Sequence, residues 1–152
     1  MNAAVTSTSG PVLFGYDGSG LAENAIAEAG RQLRAHRDAL VLTIWEPFNV
    51  GFLPVREAGF NAAQAEEVRK AAEETAAHGA ALARAAGFRA QSMAAEAAPT
   101  WKGIIDAADD HDASLIVLGS HGRTGLTGIV VGSVASAVAA HSRRSVLIVH
   151  HR

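Results

Sequence analysis

The 152-residue sequence contains no cysteine. That absence excludes a disulfide framework, a thiolate nucleophile and a cysteine zinc site. It is compatible with a reducing cytoplasm, the expected location. Aromatic residues make up 5% of the chain, and there are 4 prolines. The two signs of charge nearly cancel, with 13 Lys and Arg against 15 Asp and Glu, a formal net charge of −2. Such a balance provides no global basic surface for nucleic acid. Hydrophobic residues reach 49%, which excludes the composition of a disordered chain. The longest apolar run, 39–45, is interrupted by Thr43. It falls far short of the roughly 20 residues that span a bilayer, so no membrane association is expected. Residues 1–10 are small and polar, without the basic and apolar regions of a secretory signal. They read as a disordered lead-in to a single domain over 11–152.

Alanine occupies 33 positions and accounts for much of the hydrophobic fraction. It favours helix and lets helices lie close to whatever they pack on. Five short apolar runs, 12–16, 40–45, 88–94, 115–118 and 146–149, punctuate the chain. Four are rich in Val, Ile and Leu without strict alternation, as expected of strands buried on both faces of a parallel sheet. The third (FRAQSMA) reads as a more exposed strand. Helical patterns fill the gaps at 21–37, 61–86, 101–111 and 133–141, with Thr100 and Ser133 as candidate N-caps. Glu66 and Glu67 precede Arg69 and Lys70 at spacings that pair on a helix surface. Strict alternation of strand and helix predicts an α/β fold, a parallel sheet with helices on both faces joined by right-handed crossovers. Ligands of open sheets of this kind bind beyond the carboxyl ends of the strands, where the winding reverses. That points to the loops after the first and fourth strands.

The loop after the fourth strand carries five glycines in 14 residues, from Gly119 to Gly132. Glycine permits close backbone approach to a ligand, and successive N–H groups in such a loop form a concavity for anions. A helix starting near Ser133 adds free N–H groups and the positive end of its dipole. Arg123 adds a fixed positive charge. Ser133 caps the helix or donates its hydroxyl to a phosphate oxygen. The common templates fail. No lysine completes a P-loop, Glu23 stands where the dinucleotide fingerprint needs its third glycine, and Gly18-Ser19-Gly20 lacks the flanking glycines of a hydrolase elbow. The long connection over 47–60, with three phenylalanines, either covers an edge of the core or forms a flap over a ligand.

The spacing Gly119-x2-Gly122-x9-Gly132-Ser133 resembles the nucleotide-binding signature of the universal stress protein family. The flanking Ser120, His121, Arg123 and Val134 fit it, as do the opening Val12-Leu13-Phe14-Gly15-Tyr16-Asp17-Gly18-Ser19, Pro99 and the closing Ser145–Val149 run. The resemblance covers about residues 10–150. It implies a Rossmann-like, open five-stranded parallel sheet of order 3-2-1-4-5. It also implies ATP in the crevice between strands one and four; a Mg²⁺ ion brought in by ATP, near Asp17, would fit because such ions take few protein ligands. Asp17 matches the residue at the ribose and phosphate, Ile44 the strand-two position that meets adenine, and Leu118 and Gly119 the strand end beside the ribose. Gly122, Gly132, Ser133 and Val134 match the phosphate cradle. Gly20, Ala22 and Ala97 depart from residues frequent in the family, which bears on the adenine pocket. A homodimer through the last strand is implied as well, since that strand would otherwise be an exposed edge.

Asp17 has a second reading, as a cap of the first helix. His36, His78 and His111 read as solvated surface residues, whereas His121 lies inside the glycine loop. No His-x3-His pair signals a helical metal site, so no dedicated protein metal site is expected. Asp17 and His121 are the candidates near the phosphates for a hydrolytic base, and neither belongs to a distinctive catalytic motif. The expected function is an ATP-binding regulatory module in stress response, acting on a protein partner the sequence does not identify. Its rivals are a slow ATPase on the same site and a ligand-free interaction dimer.

Overall fold

A computed structural model describes residues 10–46, 62–121 and 131–151. The expected flap or cover over 47–60, and Gly122 and Arg123, lie outside these residues. Among the described residues nine elements alternate: β1 (Val12–Gly15), α1 (Gly20–Gln32), β2 (Asp38–Trp45), α2 (Ala62–Ala85), β3 (Arg89–Glu96), α3 (Thr100–Asp110), β4 (Leu115–Gly119), α4 (Ser133–His141) and β5 (Ser145–Val149). The five strands form one all-parallel sheet in the order β3-β2-β1-β4-β5. Gly10, read from sequence as lead-in, is held at the edge of the domain, where its carbonyl accepts from Ser114 Oγ at 2.7 Å.

The apolar runs of β1, β2 and β4 lack alternation because these inner strands bury both faces. Val12 and Phe14 of β1, Ala39 and Val41 of β2, Val117 of β4 and Val149 of β5 join one core. The intervening Leu13, Leu40, Leu42, Ile116 and Leu118 join the other. The first core is closed by Ala22, Ala25, Ile26 and Ala29 of α1 and by Ala80 and Ala83 of α2. The second is closed by Ile104, Ala107 and Ala108 of α3 and by Ala135 and Val138 of α4. The helices thus fall in pairs on opposite faces. The handedness of the crossovers requires this when the chain winds outward first to β2 and β3 and then, across β1, to β4 and β5. β3 is an edge strand and largely exposed, as its weaker pattern implies. Arg84 of α2 donates from Nε to its Ala90 carbonyl at 3.0 Å.

The alanine excess finds its use in α2. Ala72, Ala76, Ala80 and Ala83 are buried along one face of this 24-residue helix. Gly79 goes further. A Cβ there would lie 2.6 Å from Tyr16 Cδ1 and 2.7 Å from Val41 Cγ1. The outer face carries the expected ion pairs in modified form, with Arg69 bonded to both Glu66 and Glu73. At the far end of the sheet Arg144, just before β5, donates from Nε to Asp109 Oδ1 of α3 at 2.8 Å.

Close packing at Gly79 yields a stability test. Gly79→Val should destabilise the domain by about 2 kcal/mol, the usual scale of core overpacking, despite the removal of a helical glycine. Urea denaturation measures it, and an unchanged midpoint would contradict the close approach of α2 to β1 and β2.

Candidate functional site

The winding reverses at β1, which pairs with β2 on one side and β4 on the other. A cavity of about 830 Å³ opens at the carboxyl ends of these three strands. Asp17, Ile44, Leu118, Gly119, Gly132, Ser133 and Val134, expected from sequence, all line it. Gly15, Tyr16, Thr43, Thr100 and His121 line it too. Val68, Ala71, Ala72 and Thr75 of α2 form a further wall. Sequence reasoning missed that wall, because helix periodicity shows a buried face without showing what it faces.

The β1 side is a tight turn. Asp17 Oδ1 accepts from the Ser19 amide at 2.9 Å, and Gly18 takes φ +82°. Ser19, not Asp17, is the N-cap of α1, and its Oγ accepts from the Ala22 amide at 3.2 Å. Asp17 shapes the approach to the cap instead. Thr43 interrupts the apolar run of β2 for a reason now visible. It is buried, and its Oγ1 donates to the Tyr16 carbonyl at 2.8 Å, fixing the end of β1 against β2.

Two glycines permit the β4 side. A Cβ at Gly119 would lie 3.1 Å from the Leu21 carbonyl, so the end of β4 runs close beneath the first turn of α1. The Gly132 amide donates to the Ser120 carbonyl at 2.6 Å, which joins the two ends of the glycine loop. A Cβ at Gly132 would lie 2.9 Å from that same oxygen. Gly132, not Ser133, is the N-cap of α4. The first intrahelical bond belongs to Ser136, whose amide donates to Gly132 O at 2.9 Å. The amides of Ser133, Val134 and Ala135 precede it and form the positive end of the helix dipole at the cavity wall.

The helix termini at the cavity differ in one decisive respect. Thr100 is not the N-cap of α3; Pro99 holds that position, and Thr100 is the first helical residue. Its amide and Oγ1 both donate to Glu46 Oε1, each at 2.9 Å. A carboxylate from the end of β2 therefore already occupies the α3 terminus. At α4 no side chain makes a capping bond among the described residues.

Tyr16 is buried, and its hydroxyl donates to Glu23 Oε1 at 3.4 Å. Burial foremost, then the neighbouring Glu23 charge, pushes its pKa up to about 12. His78 Nε2 lies 3.6 Å from the same carboxylate oxygen. The exposed His36, His78 and His111 fit the surface expectation. His141 stacks on Trp101 with centroids 4.7 Å apart, and neither lines the cavity. Among the described residues no three His, Asp or Glu gather as a metal cluster, and no helix is long and apolar enough to cross a membrane.

Fold and cavity together define an open doubly wound α/β domain with a cavity at its switch point and the N-terminus of α4 in the cavity wall. Residues 9–150 match the Universal stress protein family, and the chain belongs to it. It is 33% identical over 145 residues to a universal stress protein of Mycolicibacterium smegmatis, covering 93% of this chain and 46% of that protein. The chain therefore spans about half the length of that relative. The solved structure of hypothetical protein MJ0577 is similar at a TM-score of 0.78 and 21% identity, over 95% of this chain and 97% of the other. A universal stress protein in complex with cAMP is similar at a TM-score of 0.57 and 26% identity, over 93% and 97% of the two chains.

The sole tyrosine of the chain makes the electrostatics of the β1 end directly measurable. Tyrosinate absorbance should rise with a midpoint near pH 12 in the folded protein, and near the ordinary 10 in urea. The fold favours the neutral phenol. Its contribution to stability is complete below about pH 10 and is lost as pH climbs toward 12. Glu23→Gln should lower the folded midpoint, and a folded midpoint already near 10 would contradict the burial of Tyr16.

Proposed function

We propose that this chain binds an adenine nucleotide, ATP foremost, in the β1/β4 cavity and acts as a nucleotide-dependent regulatory module in the cytoplasm. The observation that carries this is the α4 N-terminus, which opens on the cavity with no side-chain cap among the described residues while α3 holds Glu46. Helix N-termini of this kind attract phosphate through their unpaired amides and dipole. Leu118, Ile44 and the apolar wall of α2 supply the surface a base needs. The cavity volume falls within the ordinary range for small-ligand sites. The complex of a related family member with cAMP supports an adenine nucleotide as the ligand class.

In this scheme Asp17 meets the ribose or a phosphate-borne Mg²⁺. Such an ion arrives with its nucleotide and takes few protein ligands, so one carboxylate suffices. Gly122 and Arg123 complete the phosphate loop. Gly132 contributes by closing that loop onto Ser120, and its own amide is engaged there. β5 lies at the sheet edge, and its Val146, Leu147 and Ile148 are half-buried. Pairing of two β5 strands across a homodimer would cover that edge.

Mass spectrometry of purified protein should find a retained adenine nucleotide, and titration calorimetry should rank ATP, ADP, AMP and cAMP. Gly132→Val should weaken ATP binding by at least about tenfold, because its side chain would strike Ser120 O and open the loop. Equal affinity in the two proteins, or no binding by wild type, contradicts the assignment.

A further inference from the structure

Two helices start at the wall of one cavity. Thr100 and Ile104 of α3 line it, and so do Ser133, Val134 and Ala135 of α4. Each helix joins two parallel strands, so each starts at the carboxyl end of the sheet. Both pack on the same side of it. A helix start carries partial positive charge wherever it lies. A ligand with one neutral end and one anionic end can therefore lie in such a cavity in either of two directions.

One carboxylate removes that ambiguity. Glu46 stands one residue beyond β2 and is not itself a lining residue. It reaches across to Thr100, where Oε1 accepts from both the amide and Oγ1, each at 2.9 Å. The donors that follow are engaged inside the helix. The Lys102 and Gly103 amides both donate to the Pro99 carbonyl, at 3.1 and 3.4 Å. A carboxylate at a helix start is favourable in itself. It also disfavours any second negative charge brought to the same place. Leu42, Ile44 and Ile104 gather on this side of the cavity and offer an apolar surface to a neutral ring.

We propose that Glu46 sets the direction in which the nucleotide lies. By holding the start of α3 it denies that terminus to the phosphates. The base is left to the β2 and α3 side, and the phosphate chain to α4. Glu46 is a positioning residue: it acts through Thr100 and through its charge, and it touches no ligand atom. The proposal rests on nucleotide binding in this cavity and assigns the residue that makes that binding one-directional.

Inorganic tripolyphosphate is the probe, because it carries the charge of the ATP phosphate chain and no base. Backbone amide NMR follows its titration into wild type, Glu46→Ala and Glu46→Gln. In wild type it should shift Ser133 and Val134 and leave Thr100 and Trp101 in place. In Glu46→Ala the Thr100 and Trp101 amides should shift too, at concentrations at least about tenfold below any that move them in wild type. Sodium chloride at matched ionic strength should move none of them. Thr100 and Trp101 unmoved in Glu46→Ala, with Ser133 and Val134 responding, overturns the proposal and leaves nucleotide binding intact. Equal movement of Thr100 in wild type and variant overturns it too, as does movement by chloride alone. Should Glu46→Ala not fold, Glu46→Gln decides. Its side-chain oxygen can keep both bonds to Thr100 without the charge, and a polyanion should displace it. Thr100 unmoved by tripolyphosphate in that protein overturns the proposal. Wild type in which neither tripolyphosphate nor ATP moves Ser133 or Val134 refutes nucleotide binding itself, and this inference with it.

Discussion

β1 pairs on both sides, and the architecture follows from that constraint. Val12 stands between Ala39 of β2 and Leu115 of β4, and Leu13 between Leu40 and Ile116. A four-residue strand held this way has both ladders satisfied and both faces buried. The chain leaves it toward β2 and returns past it to β4. The two crossovers then fall on opposite faces of the sheet, and the loops beyond β1 and β4 are pushed apart. The cavity is the space between them. Its position is a consequence of winding, whatever side chains happen to line it.

Small residues convert that space into a site. A Cβ at Gly15 would lie 2.5 Å from Leu118 Cδ2 and push that side chain aside. Gly119 lets β4 pass beneath α1, and Gly132 lets the glycine loop close on Ser120. The same economy recurs at larger scale, where alanines on α1 and α2 bring two helices close to the sheet. Electrostatics then separates two helix termini that sequence alone presents as alike. Glu46 neutralises the start of α3, whereas the start of α4 has no side-chain cap among the described residues.

The fold was legible because its signals are local. Runs of Val, Leu and Ile without alternation mean strands buried on both faces, and the helical stretches between them fix the class. Element ends were less legible: α1 stops at Gln32, short of the expected 37, and β2 starts at Asp38, before the expected 40. The caps show why the rest was hidden. Thr100 and Ser133 are residue types that favour the N-cap, yet the extended backbone belongs to Pro99 and Gly132. Thr100 bonds instead to Glu46, 54 positions away, and no local pattern reveals such a pair. Most expected site residues could be named because the glycine spacing and the first loop are contiguous. The α2 wall and the burial of His121 depend on tertiary packing and emerged only with the fold.

The central claim is that the N-terminus of α4 and the ends of β1 and β4 receive one adenine nucleotide. Backbone amide NMR during ATP titration tests it most directly, because each residue reports separately. The account predicts saturable shifts largest at Asp17, Gly119, Ser133 and Val134, with Thr100 little affected because Glu46 already holds its amide. Shifts concentrated away from the β1/β4 cavity, or none at saturating ATP, would contradict it.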